Sequence, residues 1–168
     1  SLFSVLSCFV VGQESLPYKN SDLAEDVRVD DLLSRMTLVE KIGQMSQYVG
    51  PEHIARSEKH MSLEEMQAGD AYGMYPNLHS SQIPKVIKEG KVGSFLHVVT
   101  PQEANRLQQY ASQSRLGIPL IIGIDAIHGN GLVKGATIYP SPIGMASSWN
   151  LDLVRQSSIE TAREVRLN

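Results

Sequence analysis

Pro119-Leu120-Ile121-Ile122-Gly123-Ile124-Asp125-Ala126-Ile127-His128-Gly129-Asn130-Gly131 is the stretch that decides the fold. An apolar run over 119–124, bounded by Pro and Gly, reads as a buried parallel strand. It ends on a carboxylate, Asp125, and a glycine-punctuated loop follows at once. Carboxylates at the C-terminal ends of such strands are where α/β proteins place ligand-handling groups. A turn or cap carboxylate is the plainer reading, and position alone does not separate the two.

The segment before this run supplies its connection. Thr100-Pro101-Gln102-Glu103 predicts a helix start, with Thr at the N-cap, Pro at N1 and Glu at N3. Ala104, Leu107, Gln108 and Ala111 share one face of a helix over 101–115, which Leu116-Gly117 ends. Val92 to Val99 reads as a second strand. The pattern predicts that 93–98 and 120–124 are adjacent parallel strands joined by that helix in a right-handed crossover. A short helix over 82–89 precedes, with Ile83, Val86 and Ile87 inward and Gly90 at C′. Thr37-Leu38-Val39-Glu40 is a capping box opening a helix whose apolar stripe is Leu38, Ile42 and Met45, stopped by Gly50-Pro51. Val29, Leu32, Leu33 and Met36 form an earlier helix face. Ser62-Leu63-Glu64-Glu65 is a further capping box, and 70–81 reads as a loop. Asn150 caps a last helix with Leu151, Val154, Ala162 and Val165 apolar.

Composition excludes several classes. The chain has 168 residues with 15 Lys+Arg, 18 Asp+Glu and a formal charge of −3, so it carries no basic footprint for nucleic acid. Its one cysteine, Cys8, forms no internal disulfide. The first residue is Ser1, not Met, so the sequence is expected to begin inside a longer reading frame. The apolar stretch Leu2–Val11 is too short to span a bilayer. It fits the core of an export signal without its basic region, with cleavage before Gln13. A rival reading makes Val5-Leu6-Ser7-Cys8 a loose lipoprotein box with lipid on Cys8, and a third an ordinary buried element. The apolar residues after Cys8 count against lipidation. The expected organisation is 1–12 signal remnant, 13–22 polar tether and 23–168 folded domain, exported to the periplasm or outside the cell.

Gly123-Ile124-Asp125-Ala126-Ile127-His128-Gly129, Gly135-Ala136-Thr137-Ile138-Tyr139-Pro140 and Ile143-Gly144-Met145-Ala146-Ser147-Ser148-Trp149-Asn150 resemble family-three glycoside hydrolases of the β-glucosidase type. Asp31–Met45 resembles that family's opening helices and Thr161–Arg166 the helix after its second motif, all in family order over about residues 22 to 168. The resemblance implies the first part of a (β/α)8 TIM-like barrel. The strand–helix–strand pattern agrees, but shows only two confident strands. A full barrel takes about 250 residues, so the barrel is expected to be incomplete in this chain. The resemblance further implies a retaining exo-acting β-glycosidase acting on oligosaccharides or β-glucosides, without metal or organic cofactor. Retention needs a carboxylate nucleophile and a separate acid/base. In the family both lie later, so both are expected beyond Asn168. Asp125 matches the family aspartate that binds sugar hydroxyls in the −1 subsite. An ionised carboxylate accepts two hydroxyl donors at once. A non-catalytic or degenerate sugar-binding homologue is the alternative function.

The remaining candidates have plainer explanations. His128 could face the site but is expected to brace the loop through backbone hydrogen bonds. Trp149 could be a sugar platform, yet its place before an N-cap favours core packing. His97 reads as a satisfied core or strand-end histidine. His53, His60 and His79 lack the spacing of a helical metal site, and Glu160 and Glu164 read as solvated. Gly129-Asn130-Gly131 to Gly135 is one residue too long for a dinucleotide loop, and Pro140 and Pro142 precede any helix. Lys134 reads as a solvated loop lysine.

Overall fold

The computed structural model describes residues 16–58 and 80–167. The signal-like stretch, Cys8, the capping box at Ser62, His60 and His79 lie outside the described residues. The chain divides into two compact units, one ending at Met36 and one beginning at Thr37. In the first, α1 (Glu25–Arg35) is preceded by a 3-10 turn, Pro17–Lys19. The Tyr18 amide donates to Asp31 Oδ2 at 3.2 Å, and Arg28 Nε donates to the Tyr18 carbonyl at 3.2 Å. Tyr18, within the stretch expected as a tether over 13–22, is thus hydrogen-bonded to α1. Asp31 also takes a two-pronged bond from Arg35, with both contacts at 3.0 Å. This guanidinium holds the Asp31 carboxyl below its usual range.

The second unit is built on three parallel strands in the order β1 (Gln47–Val49), β2 (Ser94–Leu96), β3 (Ile121–Gly123). Tyr48 pairs with Phe95 and Phe95 with Ile122. Parallel neighbours cannot be joined by a tight turn, so each step crosses over through helix. After α2 (Leu38–Gln44) and β1 come α3 (Pro51–Glu58) and α4 (Ile83–Lys88), and then β2. After β2 comes α5 (Pro101–Ser112), and then β3. The pairing predicted for 93–98 and 120–124 is present. The expectation of only two strands needs correcting, because β1 is a third. Three residues beginning with a polar Gln47 give no readable period, and pairing to β2 alone makes them a strand.

The core lies between β2 and helices α4 and α5. Phe95 is fully buried and meets Tyr48 edge-on, with ring centroids 6.2 Å apart. Around it pack Ile83 and Ile87 of α4, Leu107 and Ala111 of α5, and Val92, Val98 and Leu120. Gly90 leaves α4 in the left-handed conformation (φ 69), as its C′ place requires. α5 starts as predicted, with Thr100 Oγ1 accepting from the Glu103 amide at 3.1 Å, but it ends at Ser112, before the expected 115. Gln108 on α5 accepts from the Leu120 amide at 2.9 Å and donates to the Leu120 carbonyl at 2.8 Å. Its amide thereby extends the sheet's hydrogen bonding onto the helix.

Two carboxylates complete these links. The Thr37–Glu40 capping box is present, with the Thr37 amide donating to Glu40 Oε2 at 2.8 Å. Glu40 also receives Arg115, whose Nε donates at 3.0 Å. This reverses the expected facing of α2. Leu38, Ile42 and Met45 are exposed, whereas Glu40 and Gly43 are buried. The cause is a close backbone approach: a Cβ on Gly43 would lie 2.1 Å from the Gly90 carbonyl oxygen. Glu103 does not close a second capping box. Its buried carboxyl accepts the Glu52 amide at 2.8 Å in the first turn of α3, which ties that helix to α5. Burial pushes the Glu103 carboxyl up, against the Glu52 amide bond that favours its charged form. No described helix is long and apolar enough to cross a membrane.

The Arg115 hydrogen bonds beside Glu40 hold its carboxyl at about 2, down from 4.5. A carboxyl depressed on folding stabilises fully above its unfolded pKa and loses that contribution as pH falls. The window here runs from about 4.5 down to about 2. Arg115→Met in the full-length protein should therefore lower Tm at pH 7 and flatten the fall of Tm with acid over that window. Thermal melts from pH 7 to pH 3 check this, and an unchanged acid limb refutes it.

Candidate functional site

The three strands run in parallel, so their C-terminal ends share one edge of the sheet. The loop after each strand brings a polar residue there. β1 leads through Gly50 into α3, whose first turn carries His53. His97 follows β2 directly, and Asp125 stands two residues past β3. His97 Nε2 lies 3.5 Å from Asp125 Oδ2. The His53 and His97 ring centroids are 5.8 Å apart, tilted by 43°.

The backbone at this edge is tightly defined. His97 has φ 59, in the left-handed region that side chains other than Gly rarely adopt. Its amide donates to the Gly123 carbonyl at 2.9 Å, and the Gly50 amide donates to the Leu96 carbonyl at 2.7 Å. A Cβ at Gly50 would lie 2.6 Å from the His97 carbonyl oxygen, so only glycine lets β1 exit this close. The Asp125 side chain is 54% exposed and that of His97 only 17% exposed. One group is open to a ligand while the other is fixed behind it. His97 is not the satisfied histidine expected, because its Nδ1 is buried without a hydrogen-bond partner. Among the described residues no group of three or more His, Cys, Asp or Glu can hold a metal ion.

The loop beyond Asp125 folds back on itself. His128 Nδ1 lies 2.8 Å from the Tyr139 carbonyl oxygen, and the Tyr139 amide donates to the His128 carbonyl at 2.8 Å. Between them Gly129 bridges Ile138 in antiparallel fashion. Gly129 has φ 102, and a Cβ there would meet the Thr137 carbonyl oxygen at 2.1 Å. Asn130 is buried beside it with Oδ1 unpartnered. Lys134 is exposed. The glycines thus serve a closed polar loop, not a phosphate cradle at a helix start.

From this loop the chain passes into α6 (Pro142–Ala146) and α7 (Leu151–Leu167). Asn150 Oδ1 caps α7 as predicted, accepting from the Asp152 and Leu153 amides at 3.1 and 3.2 Å. Glu164 on α7, expected to be solvated, also holds the loop. It accepts the Thr137 amide at 3.0 Å and the Thr137 hydroxyl at 2.7 Å, pinning the loop to the helix. Glu160 forms an exposed ion pair with Arg163. Trp149 also departs from expectation, for it keeps 92% of its surface exposed and does not pack in a core. It occupies the left-handed turn between α6 and α7 (φ 53), with its backbone fixed and its indole in solvent.

The family model for the glycosyl hydrolase family 3 N-terminal domain matches residues 37–167. The chain is 35% identical over 134 residues to the periplasmic beta-glucosidase of Salmonella typhimurium, covering 79% of this chain and 14% of that protein. It is 32% identical over 160 residues to beta-glucosidase C of Emericella nidulans, covering 90% of this chain and 24% of that protein. It is 28% identical over 164 residues to the periplasmic beta-glucosidase/beta-xylosidase of Dickeya chrysanthemi, covering 89% of this chain and 23% of that protein. The chain thus spans a quarter or less of the length of these relatives.

Gly129 is the position where this loop tolerates least. Gly129→Ala in the full-length protein adds a methyl into backbone at a left-handed φ, and the combined strain is on the order of 1–3 kcal/mol or more. A lower Tm and faster amide exchange over 126–140 are expected. Wild-type exchange there would show that the loop accommodates a Cβ.

Proposed function

This chain belongs to glycoside hydrolase family 3, and we propose that the whole protein removes terminal β-linked sugars from oligosaccharides or β-glucosides with retention of configuration. The observation carrying this reading is Asp125. Its half-exposed carboxylate stands at the common C-terminal edge of three parallel strands, inside the segment matched to the family. Its two oxygens suit a pair of neighbouring sugar hydroxyls. Each hydroxyl donates to an anion, and such charge-assisted bonds are about twice as strong as neutral ones.

Asp125 binds and does not attack in this reading. The nucleophile and acid/base that retention requires are supplied beyond Asn168. The sequential order of β1, β2 and β3 supports assignment of Thr37–Asn168 to the opening of a (β/α)8 barrel, since one-way winding closes a barrel. The exposed apolar residues Leu38, Ile42, Ile121 and Leu153 then await the later part of that barrel. Export is supported by relatives named as periplasmic enzymes.

Asp125→Ala in the full-length protein should lower kcat/KM on an aryl β-glucoside by at least about tenfold, the value of one lost hydrogen bond to a charged group. Unchanged kinetics would make Asp125 a turn residue. The 168-residue chain alone should not hydrolyse the same substrate. Turnover abolished by Asp125→Ala would place the catalytic carboxylates within it. A full-length protein that binds sugar without turnover would be a sugar-binding homologue instead.

A further inference from the structure

We infer that His97 is a positioning residue for Asp125, holding its carboxylate at the angle in which it receives the sugar. The inference rests on the reading of Asp125 as the sugar-binding carboxylate. Three observations carry it.

The first is the backbone. A histidine at φ 59 is held in a strained conformation by bonds on both sides, from its own amide to Gly123 and from the Gly50 amide to Leu96. Strained residues at strand ends persist where the surrounding structure fixes them, and such strain clusters at ligand sites. Here it turns the imidazole across the sheet edge toward Asp125.

The second is the ring's surroundings. Nε2 lies 3.5 Å from Asp125 Oδ2, while Nδ1 is buried without a partner. With the proton on Nε2, the ring presents its N–H to the carboxylate and buries only a lone pair. The His53 ring from α3 lies beside the same ring, with centroids 5.8 Å apart.

The third is the contrast in exposure. Asp125 is largely open and His97 largely closed, at 54% and 17%. A ligand therefore reaches the carboxylate, and the imidazole acts through it. The 3.5 Å separation is longer than a strong hydrogen bond, which leaves the Asp125 oxygens available to sugar hydroxyls.

The test uses full-length His97→Asn, His97→Gln, Asp125→Asn and the double variant His97→Asn/Asp125→Asn, assayed on an aryl β-glucoside alongside thermal melts. Asn is among the side chains that tolerate left-handed backbone, so His97→Asn should match or exceed the wild-type Tm. Its kcat/KM should nevertheless fall severalfold, because the imidazole that faces the Asp125 carboxylate at 3.5 Å is withdrawn. Gln has an amide reaching near the imidazole Nε2 position, so His97→Gln should recover part of that loss per folded molecule. The double variant should lose no more than Asp125→Asn alone, since the two residues act through one contact. Wild-type kcat/KM in His97→Asn, no recovery in His97→Gln, or full additivity with Asp125→Asn would each overturn the inference. A fall in Tm with kcat/KM unchanged would assign His97 to the fold alone. Wild-type kinetics in Asp125→Asn would instead defeat the underlying reading of Asp125. An impaired Asp125→Asn beside an intact His97→Asn would defeat only the role of His97.

Discussion

Parallel pairing on both edges of β2 is the constraint from which the rest of the second unit follows. A strand flanked by two parallel neighbours needs a helical crossover on either side. Those helices must cover the face on which Phe95 lies. That requirement places α4 and α5 against one another and against Phe95. It also directs all three chain exits to one edge, so the residues leaving β1, β2 and β3 meet without any long-range search.

Polar side chains fasten this arrangement where helix meets sheet or helix. Gln108 closes both hydrogen bonds of Leu120, Glu103 accepts the Glu52 amide, and Glu40 joins α2 to Arg115. The three differ in electrostatic character. Arg115 and the capping box favour the Glu40 anion, whereas burial favours the protonated form of Glu103. Glu40 therefore contributes stability that acid removes. Glu103 opposes its own ionisation, with the Glu52 amide as the compensating donor.

The candidate site shows the division of labour expected of α/β folds, in which rigid strands carry ligand groups at their C-terminal ends. Asp125 is the exposed member of that edge and His97 the sheltered one. The loop from His128 to Tyr139 is closed by its own backbone and anchored by Glu164 from α7. The rim beyond Asp125 is thus braced by groups more than ten residues apart.

Much of this was legible in sequence. The strand leading to Asp125, the Thr100 and Asn150 caps, the Thr37–Glu40 box and the inward Ile83 and Ile87 are local facts. Propensity, periodicity and capping chemistry act over a few residues, and a sequence displays them directly. The family motifs marked Asp125 in the same way. Tertiary structure alone decided what depended on distant partners. Gln47–Val49 became a strand because β2 was there to pair with it. Leu38, Ile42 and Met45 faced outward because the α2 backbone at Gly43 had to meet that of Gly90. Glu164 found Thr137, and Trp149 was left in solvent by a left-handed turn. His53, His97 and Asp125 are far apart in the chain, and no spacing rule joins them. Only the shared edge of a parallel sheet brings them together, because it sums three separate strand exits into one place.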